Sequence, residues 1–355
     1  MGRLAVQPPN RVQRFVDSIG TLNYSSGGSP FVDLPSNDYT TYLELLSAQQ
    51  VVVGTTAPVI AGYGAFGPEQ LVQVVLPGGK TPYALPGYVG DLYSRIRNHP
   101  YDSQMTTDPV AVSSTNNWIN HLQIPFTLTP DSDRGAWYTG DTAVQMQLRL
   151  TCAPAATVFS TVNGATIQGS WEVGREFFNA PPPNQSAVWL DAISWYHEIL
   201  QVNSGVSLPA QIPIQRDLDY QRLIMVFYTG NNSDSTFAPA DGLYTSADLA
   251  IDTTIHIFTN NEEQQIRFED LLCYDTILPP GTAVFDFERI ENSVRDILPT
   301  DTNTVTLVQL SITGPSTTKM DLYAERVSDN PYAAKWLAIA AAQGSSTTSG
   351  QTAAA

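Results

Sequence analysis

Lysine is nearly missing from this chain: the only lysines are Lys80, Lys319 and Lys335, and charged residues make up 14% of the sequence. Long surface helices bring Glu and Lys with them, so this scarcity, beside abundant Gly, Pro, Thr, Ser and Asn, excludes a mainly helical protein and points to many short strands and loops. Lys and Arg total 17 against 34 Asp and Glu, a formal net charge of −17. That balance argues against a nucleic-acid groove, and no sequence-specific nucleic acid is expected as a partner. Cysteine is limited to Cys152 and Cys273, far apart and each inside an apolar segment. They cannot form a disulfide framework, a CxxC pair or a zinc site, and read as small buried hydrophobes. No apolar run approaches the roughly 18 to 20 residues that span a bilayer. The opening MGRLAVQPPN lacks a signal-peptide core, and Val6 stands where a myristoylation signal needs Ser or Thr, so a soluble protein made in a cytoplasm is expected.

Catalytic grammar is equally sparse. Gly62, Gly64 and Gly67 form a G-x-G-x-x-G, the spacing that cradles a dinucleotide pyrophosphate. That motif needs a long helix after the glycines, whereas here Pro68 and Glu69 lead into QLVQVVLPGG, short, β-branched and closed by a turn. The glycines therefore read as a tight loop between strands. There is no G-x-S-x-G elbow, HExxH or Walker A sequence, and His99, His121, His197 and His256 are scattered singly, as satisfied core or surface residues are. Asp131, Asp133 and Asp141, and again Asp234 and Asp241, sit in turn-rich stretches without EF-hand spacing and read as solvated turns. Glu262 and Glu263 are adjacent and would point to opposite faces of a strand, which makes a poor acid/base couple. No catalytic residue, cofactor or metal site is expected.

What the sequence does contain is strand rhythm. With 355 residues there is length for two domains with real cores. Residues 1–33 read as an arm: Asn10 caps a helix that places Val12, Phe15, Val16 and Ile19 on one face, with Arg11 and Arg14 on the polar side and Gly20 as the stop. That face suits either the chain's own sandwich or an anionic membrane surface or acidic neighbour. Residues 34–180 alternate strands (42–53, 71–78, 118–128, 143–152, 156–162 and 169–178) with Gly/Pro turns, and one helix is predicted from 87 to 99. Pro181 to Pro183 form a stiff spacer, after which residues 181–328 resume the strand pattern. Two all-β blocks in tandem predict two sandwiches or jelly rolls. Residues 329–355 read as a tail, with a short helical piece around AAKWLAIAAA followed by the low-complexity, flexible QGSSTTSGQTAAA.

Three stretches carry a resemblance: FGPEQLVQVV (66–75), LRLTCAPAATVFSTVNG (148–164) and YQRLIMVFYTGNNS (220–233). In order and character they resemble the major capsid proteins of the tectivirus lineage, the adenovirus-like coat proteins of icosahedral bacterial viruses with an internal membrane. The resemblance implies an all-β double jelly roll, two tandem eight-stranded antiparallel barrels or sandwiches. It also implies a homotrimer that tiles the virion shell as a pseudo-hexagonal capsomer, beside neighbouring trimers, penton or spike proteins and the membrane. Arg11, Val12, Arg14, Phe15, Val16 and Ile19 would then be the membrane or assembly interface. No catalytic residues come with that family. Two rivals remain: a tandem-sandwich carbohydrate-binding or adhesion protein displaying Trp137, Tyr138 and Trp195, and a jelly-roll hydrolase or oxygenase.

Overall fold

The computed structural model describes residues 14–36, 38–60, 66–76, 79–97, 112–128, 134–139, 145–179, 195–216, 218–229, 238–239, 252–260, 262–267, 281–287, 298, 300, 303–336 and 338. The first half carries β1 (Arg14–Asn23), β2 (Phe31–Asp33), β3 (Asp38–Val52), β4 (Val59–Ile60), β5 (Glu69–Val75), β6 (Tyr83–Leu85), α1 (Gly87–Ile96), β7 (Thr115–Pro125), β8 (Trp137–Tyr138), β9 (Gln147–Cys152), α2 (Ala155–Val158), β10 (Phe159–Thr161) and β11 (Thr166–Asn179). The second half carries β12 (Trp195–Ser207), β13 (Ala210–Ile214), β14 (Asp219–Thr229), β15 (Ala238–Pro239), β16 (Asp252–Thr259), β17 (Glu263–Arg267), β18 (Thr282–Asp286), β19 (Val305–Thr313) and β20 (Lys319–Asp329).

Three larger sheets build two sandwiches. A five-stranded sheet, β1-β11-β3-β7 with β8 paired to β3, faces the β2-β9-β5-β6 half of a nine-stranded sheet. The other half, β12-β20-β14-β15 with β18 paired to β14, faces the four-stranded sheet β13-β19-β16-β17. Strand β3 shows why one face turns inward: Leu43, Leu45 and Val51 are fully buried, while the intervening Leu46, Ala48 and Gln50 face out. Leu43 and Leu45 meet Val72, Val74, Leu148 and Leu150 in one core, Val51 joins a smaller cluster with Trp118 and Phe159, and Ile255, Ile257, Val308 and Leu310 meet Leu223, Met225 and Phe227 in the second core. The sheets are open sandwiches rather than closed barrels. Their shared member is the nine-stranded sheet, whose halves join where β12 runs parallel to β6, Ile199 opposite Tyr83 and Leu200 opposite Ala84. Each edge strand thereby gains a partner for its exposed N–H and C=O groups.

Strand β14 is buried on both faces, which explains its unbroken apolar run. Leu223, Met225 and Phe227 enter the second core, and Ile224, Val226 and Tyr228 enter the first.

Several expectations need correction. The arm from Arg14 onward is strand β1, paired antiparallel with β11 from Arg14 opposite Phe178 to Asn23 opposite Ser170. Helical spacing of four apolar residues is a local signal, and a short helix is marginal in water, so ten residues of ladder hydrogen bonds against β11 override it. Gly20, expected as a helix stop, instead follows a bulge after Ser18, where a Cβ would lie 2.8 Å from Val32 Cγ2. The strand expected at 156–162 is split into the single turn α2 and the short β10. Trp137 and Tyr138, offered as exposed aromatics, are buried, and Trp195 is half-buried. Gly67 is followed by β5, an antiparallel strand between β6 and β9, and not by a helix. Gly62, Gly64, His99, Asp131, Asp133, Asp141, Asp234, Asp241, Cys273 and the Pro181–Pro183 spacer lie outside the described residues, as does most of the tail.

The beginning of the tail docks onto the first sandwich. Tyr332 accepts a backbone hydrogen bond from Trp336 at 2.9 Å, and the Trp336 ring sits against Trp137 (5.9 Å) and Tyr138 (6.1 Å) at steep angles. Tyr196 and Tyr332 complete the cluster, with Lys80 Nζ 6.0 Å above each ring. Trp336→Ala is expected to lower unfolding stability by about 3–5 kcal/mol, measured by urea titration followed by circular dichroism. Deleting residues 1–23 removes β1 and with it buried Leu22, and is expected to lower the midpoint of the same titration clearly.

Candidate functional site

Two features stand out: a buried polar seam between the sandwiches and two outer faces that carry side-chain amide contacts. The seam is built around Glu325 of β20, which is fully buried. Side chains at 321, 323 and 325 alternate away from the second core, so Glu325 points toward α1 of the first sandwich. Arg97, one residue beyond α1, donates from Nη1 to Glu325 Oε1 at 3.0 Å, and its Nη2 donates to the carbonyls of Thr127 (2.6 Å) and Leu128 (2.7 Å). The Tyr93 hydroxyl donates to the same Oε1 at 2.7 Å, and His197 Nε2 of β12 lies 2.7 Å from it. From β14, Arg222 Nη1 donates to Oε2 at 2.7 Å, while its Nε faces Asp286 of β18 at 3.2 Å.

Charge balance sets the protonation states. Two guanidiniums face two carboxylates, so an imidazolium would be unbalanced. Burial pushes Glu325 up, yet Arg222, the His197 hydrogen bond and Arg97 hold it well below the usual carboxylate range. His197 is pushed down by burial, against the pull of Glu325, which favours its neutral form. Between the sandwiches also lies a cleft of about 350 Å³ lined by Phe66, Glu69 and Tyr88 from one and Gln201, Ser204 and Tyr323 from the other, with no member of the Glu325 network among its lining residues. Asp321, whose Oδ1 accepts from Gly205 N–H at 2.7 Å and from the Tyr228 hydroxyl at 3.1 Å, is pushed up by burial. The Glu325 contacts tie the two sandwiches together.

The outer faces mix side-chain amides with a few glutamates, Glu44 and Glu172 on one and Glu263 on the other. On the five-stranded sheet, Gln168 Nε2 donates to Gln50 Oε1 (3.2 Å) and Gln50 Nε2 to Asn117 Oδ1 (3.3 Å), an amide ladder across three strands. Beside it Leu46 and Ile119 are 45% and 53% exposed on neighbouring strands. The four-stranded sheet repeats the pattern, with Gln309 Nε2 donating to Gln211 Oε1 (3.3 Å) and Leu307 exposed. Near the amide ladder, His121 lies 3.8 Å from Glu44, and on the other face His256 Nδ1 lies 2.6 Å from Glu263, so both histidines are satisfied on the surface. Among the described residues no cluster of three or more His, Cys, Asp or Glu could hold a metal ion.

The sequence-predicted interface residues fall as follows. Arg11 and Val12 lie outside the described residues. Arg14, Phe15, Val16 and Ile19 are on β1, an edge strand, and the strand period separates what a helix would gather. Val16 faces out at 67% exposure, Phe15 packs on Phe177 at 5.7 Å, and Ile19 leans on the first core. The Glu325 network was missed entirely, since its members are spread from Tyr93 to Glu325 and no local spacing signals it.

Replacing Glu325 by Gln leaves Arg222 and Arg97 short of a buried counter-charge, and a loss of roughly 3–5 kcal/mol is expected in chemical denaturation. The sign with pH follows from the lowered carboxyl: its contribution is present above about 4.5 and is lost as pH falls below that value. An acid titration should therefore show a shallower low-pH decline in Glu325→Gln than in the unaltered chain.

No protein-family model and no curated protein matches the sequence. Solved structures do match the fold. The major capsid protein of Sulfolobus turreted icosahedral virus superposes with a TM-score of 0.65 at 14% identity, covering 91% of this chain and 98% of that one. The major capsid protein P2 of bacteriophage PM2 gives 0.52 at 11% identity over 89% and 97%. PBCV-1 VP54, as fitted into a reconstruction of the virophage Sputnik, gives 0.58 at 12% over 91% and 96%. Both sandwiches and the sheet that joins them are therefore those of the double jelly-roll fold shared by these viral capsid proteins.

Proposed function

We propose that the chain is the major capsid protein of an icosahedral virus and that its role is structural rather than catalytic. The observation that supports this most is the likeness to capsid proteins along nearly the whole of both chains, two jelly rolls and their junction included. The amide ladders on the outer faces fit the role: desolvating amides and hydroxyls costs less than desolvating Lys and Glu, so these stretches can form repeated lateral contacts. In this reading three copies form a capsomer, capsomers tile the shell of the virion around a membrane, and synthesis takes place in the host cytoplasm.

The segment carrying Arg11, Val12, Arg14, Phe15, Val16 and Ile19 is proposed as an assembly element, now acting through the edge of β1. Its exposed Val16, and Leu46 and Ile119 further along the same sheet, offer apolar contact points to another subunit. The carbohydrate-binding alternative loses its main support because Trp137 and Tyr138 are buried.

Light scattering of the purified chain is expected to give a trimer mass, about three times 38.6 kDa. A monomer persisting at high concentration overturns the reading. Leu46→Glu with Ile119→Glu, both on the solvent face, should leave the monomer's unfolding within about 0.5 kcal/mol per site while blocking particle formation seen by electron microscopy.

A further inference from the structure

The carboxyl of Glu69, the first residue of β5, is 1% exposed and lies against the first residue of α1. Its Oε1 accepts from Trp171 Nε1 at 2.7 Å, the Asn120 side chain of β7 adds a second hydrogen bond, and Oε2 has no hydrogen-bond partner. The other groups that face it are all neutral or acidic: Asp91 of α1, 3% exposed; the Tyr83 hydroxyl of β6, also without a partner; and the Cys152 thiol of β9. No Arg, Lys or His is among the described residues that act on it.

Helix α1 sits directly on this group because its contact face is made of glycine. A Cβ at Gly87 would meet Glu69 Oε2 and lie 2.6 Å from the Glu69 Cβ. One turn on, a Cβ at Gly90 would lie 2.6 Å from the Tyr83 hydroxyl and 2.7 Å from Leu122 Cδ1. An ionised carboxylate in such a place has no cation among the described residues to offset its lost hydration, and at 1% exposure it meets water only at the edge of the cleft. Burial pushes Glu69 up to about 7; the Trp171 and Asn120 hydrogen bonds oppose this, and Asp91 adds to it.

We propose that Glu69 is a proton-sensing carboxyl: protonated, it lets α1 pack on β5, and ionised, it places an uncompensated charge beneath the helix and loosens the seam that Tyr93 and Arg97 hold to Glu325. The proton leaves to solvent, and no other co-reactant is involved. The sign is opposite to that of Glu325. A carboxyl raised in the folded state stabilises fully below about 4.5 and loses that stabilisation as pH rises toward 7. Over pH 5.5 to 8 this group alone is expected to raise the unfolding constant on the order of tenfold or more. The inference does not depend on the capsid reading.

Trp171 supplies a direct readout, since its indole N–H donates to the titrating group. In the full-length protein labelled with ¹⁵N, the Trp171 indole resonance, assigned with Trp171→Phe, is expected to titrate with a midpoint near 7. Hydrogen exchange of the α1 amides, corrected for intrinsic rates, should accelerate on the order of tenfold over pH 5.5 to 8. Glu69→Gln should abolish that acceleration. A Trp171 resonance that is flat across this range, or that titrates below pH 5, overturns the proposal. So do α1 exchange profiles that are the same in both proteins. Should Glu69→Gln fail to fold, the Trp171 titration decides alone, because it is read in the unaltered chain.

Discussion

The fully buried carboxylate of Glu325 is the contact on which the arrangement of the two jelly rolls turns. It takes hydrogen bonds from Arg97 and Tyr93 of one sandwich and from Arg222 of the other, so displacing either sandwich would strand a charge in the interior. Hydrophobic contact alone is indifferent to small slides of one sheet past another. A buried ionic network is not, because its members are satisfied in one geometry only. The Arg97 guanidinium extends the constraint by holding the carbonyls of Thr127 and Leu128, so the chain just beyond β7 is tied to the same point.

Helix α1 carries the matching role within the first sandwich. It reaches Glu325 through Tyr93 and Arg97 and presses Gly87 and Gly90 onto Glu69 and Tyr83. The nine-stranded sheet then completes the junction in backbone hydrogen bonds between β6 and β12. Junction and cores are thus one packing problem, and β14, buried on both faces, belongs to both.

Much of this was legible in the sequence and some was not. Strands such as β3, β11, β14 and β20 announced themselves through alternation or β-branched runs, because each pattern reflects one or two buried faces. The two-block layout was legible from the same rhythm, and α1 from its single amphipathic stretch. The arm was misread because Val12, Phe15, Val16 and Ile19 fit a helical period, while the partner that makes Arg14–Asn23 a strand is β11, whose Phe178 pairs with Arg14 far along the chain. Trp137 and Tyr138 were misread for a related reason: what covers them is Trp336, a residue of the tail. The seam was illegible, since Tyr93, His197, Arg222 and Glu325 share no local spacing.

The parallel pairing of β12 with β6 has a mechanical consequence. A pair of domains joined only by a linker can hinge, and a lattice built from them can bend inside each unit. Here a continuous ribbon of backbone hydrogen bonds crosses the junction. Bending one sandwich against the other would shear that ribbon and tear the ion network beside it. The junction therefore resists hinging, and under the proposed role any curvature of a shell would fall where one copy meets the next.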